Sequence, residues 1–334
     1  MATMREVADR AEVSVATVSR VINKTGYVSP DLESRVYEAM RALKYQPSAL
    51  ARSLRRRETM TIGVLIPQIN QPFYSTLTFS VEKSLFSNDY RTLICSSEQH
   101  RDKENAYIEM LLRQRVDGVV LVPTGKNADS FRQFQDHNIP VVLADHDVPS
   151  LDCNKVLSDN YRGGYIGMKH LIELGHRHIG LIGGPDYSQP MNDRLRGVQS
   201  ALAEYKLTVH AEMLAAGPFH HFEVGYNSAM GMLRQSTPPT AIFALTDMMA
   251  IGVLHAAAEL DLTLPQDLSV VGYDDIPLSA YSIPGLTTIA QPTYEMGQVV
   301  TRILLDAIQN PDHTNETHLL SIRLIMREST APPR

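Results

Sequence analysis

The sequence predicts an α/β protein. A helical N-terminal headpiece of helix-turn-helix type precedes a two-lobed core of parallel sheets. Three observations carry this. Helix caps and apolar stripes at helical spacing fill the first 45 residues. Near residue 60 the period changes, and short apolar strands then alternate with amphipathic stretches of helix length. Charge is segregated as well: residues 1–57 carry 11 Lys and Arg against 6 Asp and Glu, and the rest 20 against 31, so +5 and −11 combine to the net −6. A basic head on an acidic body points to a polyanion as partner of the head alone.

The length of 334 residues allows two or three domains. We place the boundaries at 1–46 for the headpiece, 47–58 for a hinge helix and linker, and 59–334 for the core. Cys95 and Cys153 have no CxxC spacing, so neither a disulfide framework nor a structural zinc is expected. "MATMREVADR" lacks the apolar core of a signal peptide. No apolar run approaches the roughly 20 residues that cross a bilayer. A reducing, cytoplasmic location with no membrane partner is the reading.

The headpiece opens on "TMRE", a capping box in which Thr3 and Glu6 satisfy each other's backbone. Met4, Val7, Ala8 and Ala11 form the apolar stripe of the first helix. "EVS" turns the chain, and Ser14 caps the second helix. There Val15, Val18 and Ile22 are expected to face inward, and Ala16, Thr17 and Arg20 outward. Ser29 and Pro30 start a third helix, with Leu32, Val36, Met40 and Leu43 buried. Two short helices joined by a tight turn fit the major groove of DNA. Thr17 suits a base edge or methyl, Arg20 can fork onto guanine, and the small Ala16 permits close approach. The rival reading is a three-helix mini-domain with a solvated face.

"YQPSALARSLRRR" follows, from Tyr45 to Arg57. Pro47 blocks continuation of the third helix, and Ser48 can cap one more turn or two, Ala49 to Leu54. So short a helix is marginal alone and should order only against a partner. Leu54 beside arginines suits a wedge in the minor groove. A plain basic linker is the alternative. The candidate DNA contacts are therefore Thr3, Ser14, Ala16, Thr17, Ser19, Arg20, Asn23 and Tyr45, then Ser48, Ala51, Leu54 and Arg55.

In the core, "MTIGVLIP", "YRTLICSS", "DGVVLVP", "IPVVLAD" and "NKVLSDN" read as one set of buried strands. "HIGLIGG", "TAIFALT", "LSVVGYDD" and "LTTIAQP" read as a second. Ligands of such sheets sit beyond the carboxyl ends of the strands. Gln71, Phe73, Tyr74, Asp145, His146, Arg194, Phe219, Thr246, Asp247, Asp274 and Gln291 stand at those ends. Carboxylates, an Arg and a Gln serve hydroxyls, and aromatic faces cover a ring, which is the chemistry of a sugar site. Asp247 could equally be a helix cap. No GxSxG, HExxH or Walker loop occurs, so no enzyme and no cofactor are expected. "GHRH" at 175–178 lacks a nearby carboxylate, so no metal is expected either.

Taken in order, "VADRAEVSVATVSRVIN", "YQPSALARSL", "GVLIP", "VDGVVLV", "LGHRHIGLIGGP", "LPQDLSVVGYDD" and "LTTIAQP" resemble the LacI/GalR (lactose-repressor) family of bacterial transcription regulators. "QPSALARSL" and "NQPFYS" resemble its ribose-repressor branch. The resemblance covers essentially the whole chain. It implies a homodimer on a pseudo-palindromic operator, with a core similar to periplasmic sugar-binding proteins. Ala16, Thr17 and Arg20 match base-reading positions, and Leu54 the hinge leucine. Phe73 and Tyr74 match an aromatic clamp; Asp145, Arg194, Asp274 and Gln291 match partners of sugar hydroxyls; Phe219 matches a further pocket aromatic. Two departures weaken ribose as ligand: Thr246 replaces a common Asn, and His146 a common Arg. Ser188 and Pro190 stand where the purine branch places its contacts, which disfavours a purine. A purine-type corepressor, control by a phosphocarrier protein, and a stand-alone sugar-binding protein are the alternatives. "MRESTAPPR" carries no heptad segment, so a dimer rather than a tetramer is expected.

Overall fold

The computed structural model describes residues 2–45, 58–124, 128–183, 188–208, 213–216, 221–310 and 312–334. The chain divides into two compact units, Met1–Met60 and Thr61–Arg334.

The first unit holds helices α1 (Met4–Ala11), α2 (Val15–Asn23) and α3 (Pro30–Ala42). Its capping box forms: the Thr3 amide donates to Glu6 Oε2 at 2.6 Å and the Glu6 amide to Thr3 Oγ1 at 3.3 Å. Ser14 Oγ accepts from the Thr17 amide at 3.1 Å and starts α2. The core is Val7, Ala8, Ala11, Val18, Val21, Val36 and Ala39, with Met4, Ile22, Met40, Leu43 and Tyr45 packed on it. The expected inward face of α2 is corrected here. Val21 is buried and Val15 is 43% exposed. At 100° per residue the buried side is centred between Val18 and Val21, so Val15, at the first position of the helix, falls outside it. In α3, Val36 and Ala39 carry the buried face and Leu32 is only half-buried.

The second unit contains two six-stranded sheets. One has the order β11-β5-β4-β3-β1-β2, with β1 (Thr61–Ile66), β2 (Arg91–Ser96), β3 (Gly118–Leu121), β4 (Val141–Ala144), β5 (Asn154–Ser158) and β11 (Thr317–Leu320). All its pairings are parallel. The other has the order β12-β10-β9-β8-β6-β7, with β6 (Ile179–Gly183), β7 (Leu214–Ala216), β8 (Ala241–Ala244), β9 (Ser269–Asp274), β10 (Thr287–Ala290) and β12 (Arg323–Ile325). Only β12 runs antiparallel to its neighbour. The central strands are continuous runs of buried residues, as a sheet covered on both faces requires.

Helices α4 (Pro72–Phe86), α5 (Arg101–Gln114) and α6 (Ala128–Asp136) connect strands of the first lobe. Helices α7 (Asn160–Glu173), α8 (Gln189–Glu204), α9 (Phe222–Leu233), α10 (Asp247–Glu259) and the short α11 (Pro277–Tyr281) serve the second. After β10 the chain returns: α12 (Thr293–Gln309) packs on α4 and on β3 to β5 of the first lobe. The backbone thus passes between lobes at residue 159, at 291–292 and at 321–322. Short passages of this kind act as a hinge, letting the lobes open and close as rigid bodies.

Helices α7 and α8 meet at backbone contact. A Cβ added to Gly164 would lie 1.9 Å from the carbonyl oxygen of Arg194. Gly164→Ala must therefore push α8 away. The expected cost is roughly 1–3 kcal/mol, read as a lower urea midpoint at unchanged slope. A midpoint equal to wild type would show that the helices can separate freely.

Candidate functional site

Between the lobes lies a narrow cavity of about 30 Å3, well below the roughly 300–1,000 Å3 of open small-molecule sites. It brings together Gln71, Phe73, Tyr74, Asp145 and His146 from the first lobe with Arg194, Thr246, Asp274 and Gln291 from the second. Ser188, Pro190 and Met191 complete the lining. Phe219 lies outside the described residues.

Each polar group has a local cause. Phe73 and Tyr74 begin α4 and meet edge to face at 5.3 Å between ring centres. Asp145 follows β4 with φ of 65°, a left-handed conformation that Asp tolerates and that clusters at functional sites. His146 Nδ1 donates to the Pro123 carbonyl at 2.8 Å. Gln71 Nε2 donates to Gln68 Oε1.

Arg194 is the centre of the second-lobe side, 5% exposed. Its Nε donates to Asn160 Oδ1 at 2.8 Å and its Nη1 to the Leu245 carbonyl at 2.6 Å. Nη2 lies 3.3 Å from Asp274 Oδ1, and the guanidinium stacks 3.7 Å above the Tyr273 ring. Burial opposes its charge, but Asp274, Tyr273 and Asp145 outweigh that, so its pKa is raised. Gln291 Nε2 donates to the same Asp274 oxygen at 2.8 Å. Burial pushes the Asp274 carboxyl up to about 6, with Arg194 and Gln291 opposing and Asp145 adding like charge.

Asp247 is a correction. It does not line the cavity. It is fully buried behind it, accepting from the Ile276 amide at 2.9 Å, Ser279 Oγ at 2.7 Å and Thr288 Oγ1 at 2.5 Å. Three donors engage both of its oxygens, and it pins α11 and β10 to α10. Nor is it the helix cap: Thr246 Oγ1 accepts from the Met249 amide at 3.2 Å and caps α10. Burial and then the charge of Asp274 push Asp247 up to about 7. A carboxyl raised in the folded state binds more protons folded than unfolded, between about pH 4 and pH 7. Its contribution is complete at low pH and is lost as pH rises through 7. Asp247→Asn keeps the hydrogen bonds, because the Thr288 hydroxyl can accept instead of donate. The melting temperature of wild type relative to this variant should fall as pH goes from 5 to 8. A constant difference would mean that the carboxyl is already ionised at pH 5.

Sequence reasoning missed Asn160 and Tyr273, which position Arg194, since Tyr273 Oη also donates to Asn160 Oδ1 at 3.1 Å. Tyr273 precedes Asp274 and should point to the opposite sheet face. The φ of 115° at Asp274 breaks that alternation. His176 of the "GHRH" stretch is buried among Thr240, Ser269 and the Ala331 carbonyl, a hydrogen-bonded structural residue. Among the described residues no group of three His, Cys, Asp or Glu could hold a metal.

In the headpiece the outward face of α2 is Val15, Ala16, Ser19, Arg20 and Asn23; of these Ala16 and Arg20 are exposed and Ser19 and Asn23 half-buried. Thr17 sits half-buried at its edge. Several expected contacts have internal roles. Thr3 and Ser14 cap helices. Asn23 Nδ2 donates to the Ser19 carbonyl at 2.8 Å. Tyr45 packs on the headpiece core. Ser48, Ala51, Leu54 and Arg55 lie outside the described residues.

A three-helix unit with a helix-turn-helix, followed by a two-lobed core closing on a polar cavity, defines a ligand-responsive DNA-binding regulator. Residues 3–48 match the bacterial regulatory proteins of the lacI family, and 168–330 the periplasmic binding protein-like domain. The chain is 40% identical over 334 residues to the HTH-type transcriptional repressor PurR of Proteus mirabilis (strain HI4320), covering 99% of this chain and 97% of that protein. It is 36% identical over 329 residues to the ribose operon repressor of Haemophilus influenzae (strain ATCC 51907 / DSM 11121 / KW20 / Rd), covering 98% of each. The lac repressor dimer bound to operator and the anti-inducer ONPF superposes with a TM-score of 0.88 at 28% identity, over 99% of both chains. A ribose-bound LacI-family regulator from Enterococcus faecium gives 0.75 at 33% identity, over 82% of this chain and 100% of that one. The chain belongs to the LacI family. It is a DNA-binding transcriptional repressor under effector control, and not an enzyme.

Proposed function

We propose that this repressor acts as a cytoplasmic homodimer on a pseudo-palindromic operator, and that its effector is a sugar or sugar derivative bound between the core lobes. The observation that carries the reading is the convergence of Asp145, Arg194, Asp274 and Gln291 with the Phe73–Tyr74 pair in one cavity. Hydrogen-bonding groups around an aromatic pair suit a hydroxylated ring. Exposed Leu278 and Tyr281 (82%) on α11, with Ile283 (96%) just after it, support an apolar dimer contact. Effector and operator favour different lobe arrangements, so the effector shifts the population between them. A coupling of about 1–3 kcal/mol changes operator affinity roughly 5- to 150-fold. Base contacts by Ala16, Thr17 and Arg20, and a minor-groove wedge at Leu54, belong to the same proposal.

A purine corepressor is the second reading, favoured by the relative named PurR at 40% identity. Melting temperature against pentoses, hexoses, sugar acids, polyols and purines, with operator affinity read in parallel, separates the two. A ligand at 100 times its dissociation constant stabilises by about 2.7 kcal/mol. A shift with a purine alone would replace the sugar reading.

A further inference from the structure

We propose that Glu104, which lies outside the cavity, is a positioning residue for it: Glu104 fixes the peptide between Pro123 and Thr124, and through that peptide sets the direction of the His146 ring at the cavity wall. This rests on the reading of the cavity as the effector site.

Glu104 stands on α5 and is 3% exposed. The other buried residues of that helix, Ile108 and Leu111, are apolar. A carboxyl in such a place is costly unless its oxygens are engaged. Glu104 Oε2 accepts from the Thr124 amide at 2.8 Å. Burial pushes its carboxyl up, against the opposing pull of the Thr124 amide and hydroxyl. Thr124 Oγ1 also lies 2.7 Å from Ser97 Oγ, and the Ser97 amide donates to the Ile66 carbonyl at 3.0 Å. Glu104 is thus tied to chain leaving β1, β2 and β3 on the side where the cavity lies.

The Thr124 amide and the Pro123 carbonyl are the two ends of one peptide group. In a planar trans peptide they point opposite ways, so holding the N–H on Glu104 fixes the direction of the C=O. That carbonyl accepts from His146 Nδ1 at 2.8 Å. A carbonyl has no hydrogen to give, so Nδ1 carries one whatever the state of Nε2. The ring held in this way places Nε2 3.5 Å from Asp145 Oδ2. His146 and Asp145 line the cavity. The hydrogen bonds run head to tail, from His146 through the peptide to Glu104, and each polarises the next. A carboxyl on α5 thereby reaches a cavity side chain through a single peptide.

The test is the ring N–H signal of His146 in a nitrogen-edited NMR spectrum of the histidine-labelled full chain, assigned by its loss in His146→Gln. A ring N–H bonded to the Pro123 carbonyl is protected from exchange with water and gives a visible signal. Glu104→Met fills the space without an acceptor, so the signal should be lost to exchange. Glu104→Gln still accepts from the Thr124 amide and should keep it. Operator affinity without effector stays at the wild-type value in both, which reports an intact fold. If the Met variant does not fold, Glu104→Asp carries the test: it withdraws the oxygens by one methylene and should weaken the signal. D-ribose and hypoxanthine are titrated into the same samples, and the Met or Asp variant should bind whichever of them wild type binds roughly tenfold more weakly. A ring signal unchanged in the Met or Asp variant overturns the proposal, as does its loss in the Gln variant or an unchanged affinity for the bound compound. A wild type that binds neither compound counts against the cavity as the effector site, and the ring signal then decides the role of Glu104 by itself.

Discussion

Arg194→Ala abolishes the response of operator binding to the effector and lowers the stability of the core by about 3–5 kcal/mol. Both effects follow from the contacts of one side chain. Truncation strips the donor from Asn160 Oδ1 and from the Leu245 carbonyl, and the cation from Asp274. Burial already raises Asp274 to about 6 against the charge of Arg194; without Arg194 its carboxyl rises further. The Tyr273 ring loses the guanidinium stacked on it. At roughly 2–4 °C per kcal/mol for a unit of this size, the melting temperature falls by about 10 °C. Operator binding without effector persists, because the headpiece is a separate compact unit. Arg194→Lys keeps the charge and loses the planar fork, so it should retain more stability than response. Thermal melts and operator titrations with the ligand that shifts wild type check this. A variant that still responds would move the effector out of the cavity.

The strands of the core were legible because a parallel sheet covered on both faces is written as unbroken apolar runs, such as "GVVL" and "VVLA". Strands β7, β11 and β12 escaped that reading. They are three or four residues long; β11 alternates exposed with half-buried residues, and the apolar "LAA" of β7 is too short to mark a strand. Membership of a lobe is also not local: nothing within "TYEMGQVVTRILLDAIQ" says that α12 packs beside α4, two hundred residues earlier. Within the site, residue types at strand ends were readable and their partners were not. Asp247 and Asp274 look alike in sequence. Donors from α11 and β10 enclose the first, and Arg194 and Gln291 hold the second at the cavity wall. The face of α2 was misread for a related reason. In nine residues Val15, Val18, Val21 and Ile22 fit two phases of the same period, and only contact with α1 and α3 selects one.

Arg20→Ala weakens operator binding selectively at one base pair in each half-site. Arg20 is exposed on the outward face of α2, beside the small Ala16 that allows the helix to come close. A guanidinium forked onto guanine is worth about 1–3 kcal/mol of discrimination. On the proposed palindromic operator the loss occurs in both halves, so the dimer loses roughly 2–6 kcal/mol. Folding is unaffected, since an exposed helical Arg replaced by Ala moves stability within about 0.5 kcal/mol. That separates the effect from a damaged headpiece. The measurement is affinity at fixed salt for the operator and for every symmetric base change in it. If Arg20 reads a base, the variant binds the operator and its change at that one position equally, and discriminates elsewhere as wild type does. Equal loss on all sequences, with the salt slope reduced by about one for each headpiece, would make Arg20 a phosphate contact. Sequence choice would then rest with Thr17 at the edge of the face and with the deformability of the operator centre.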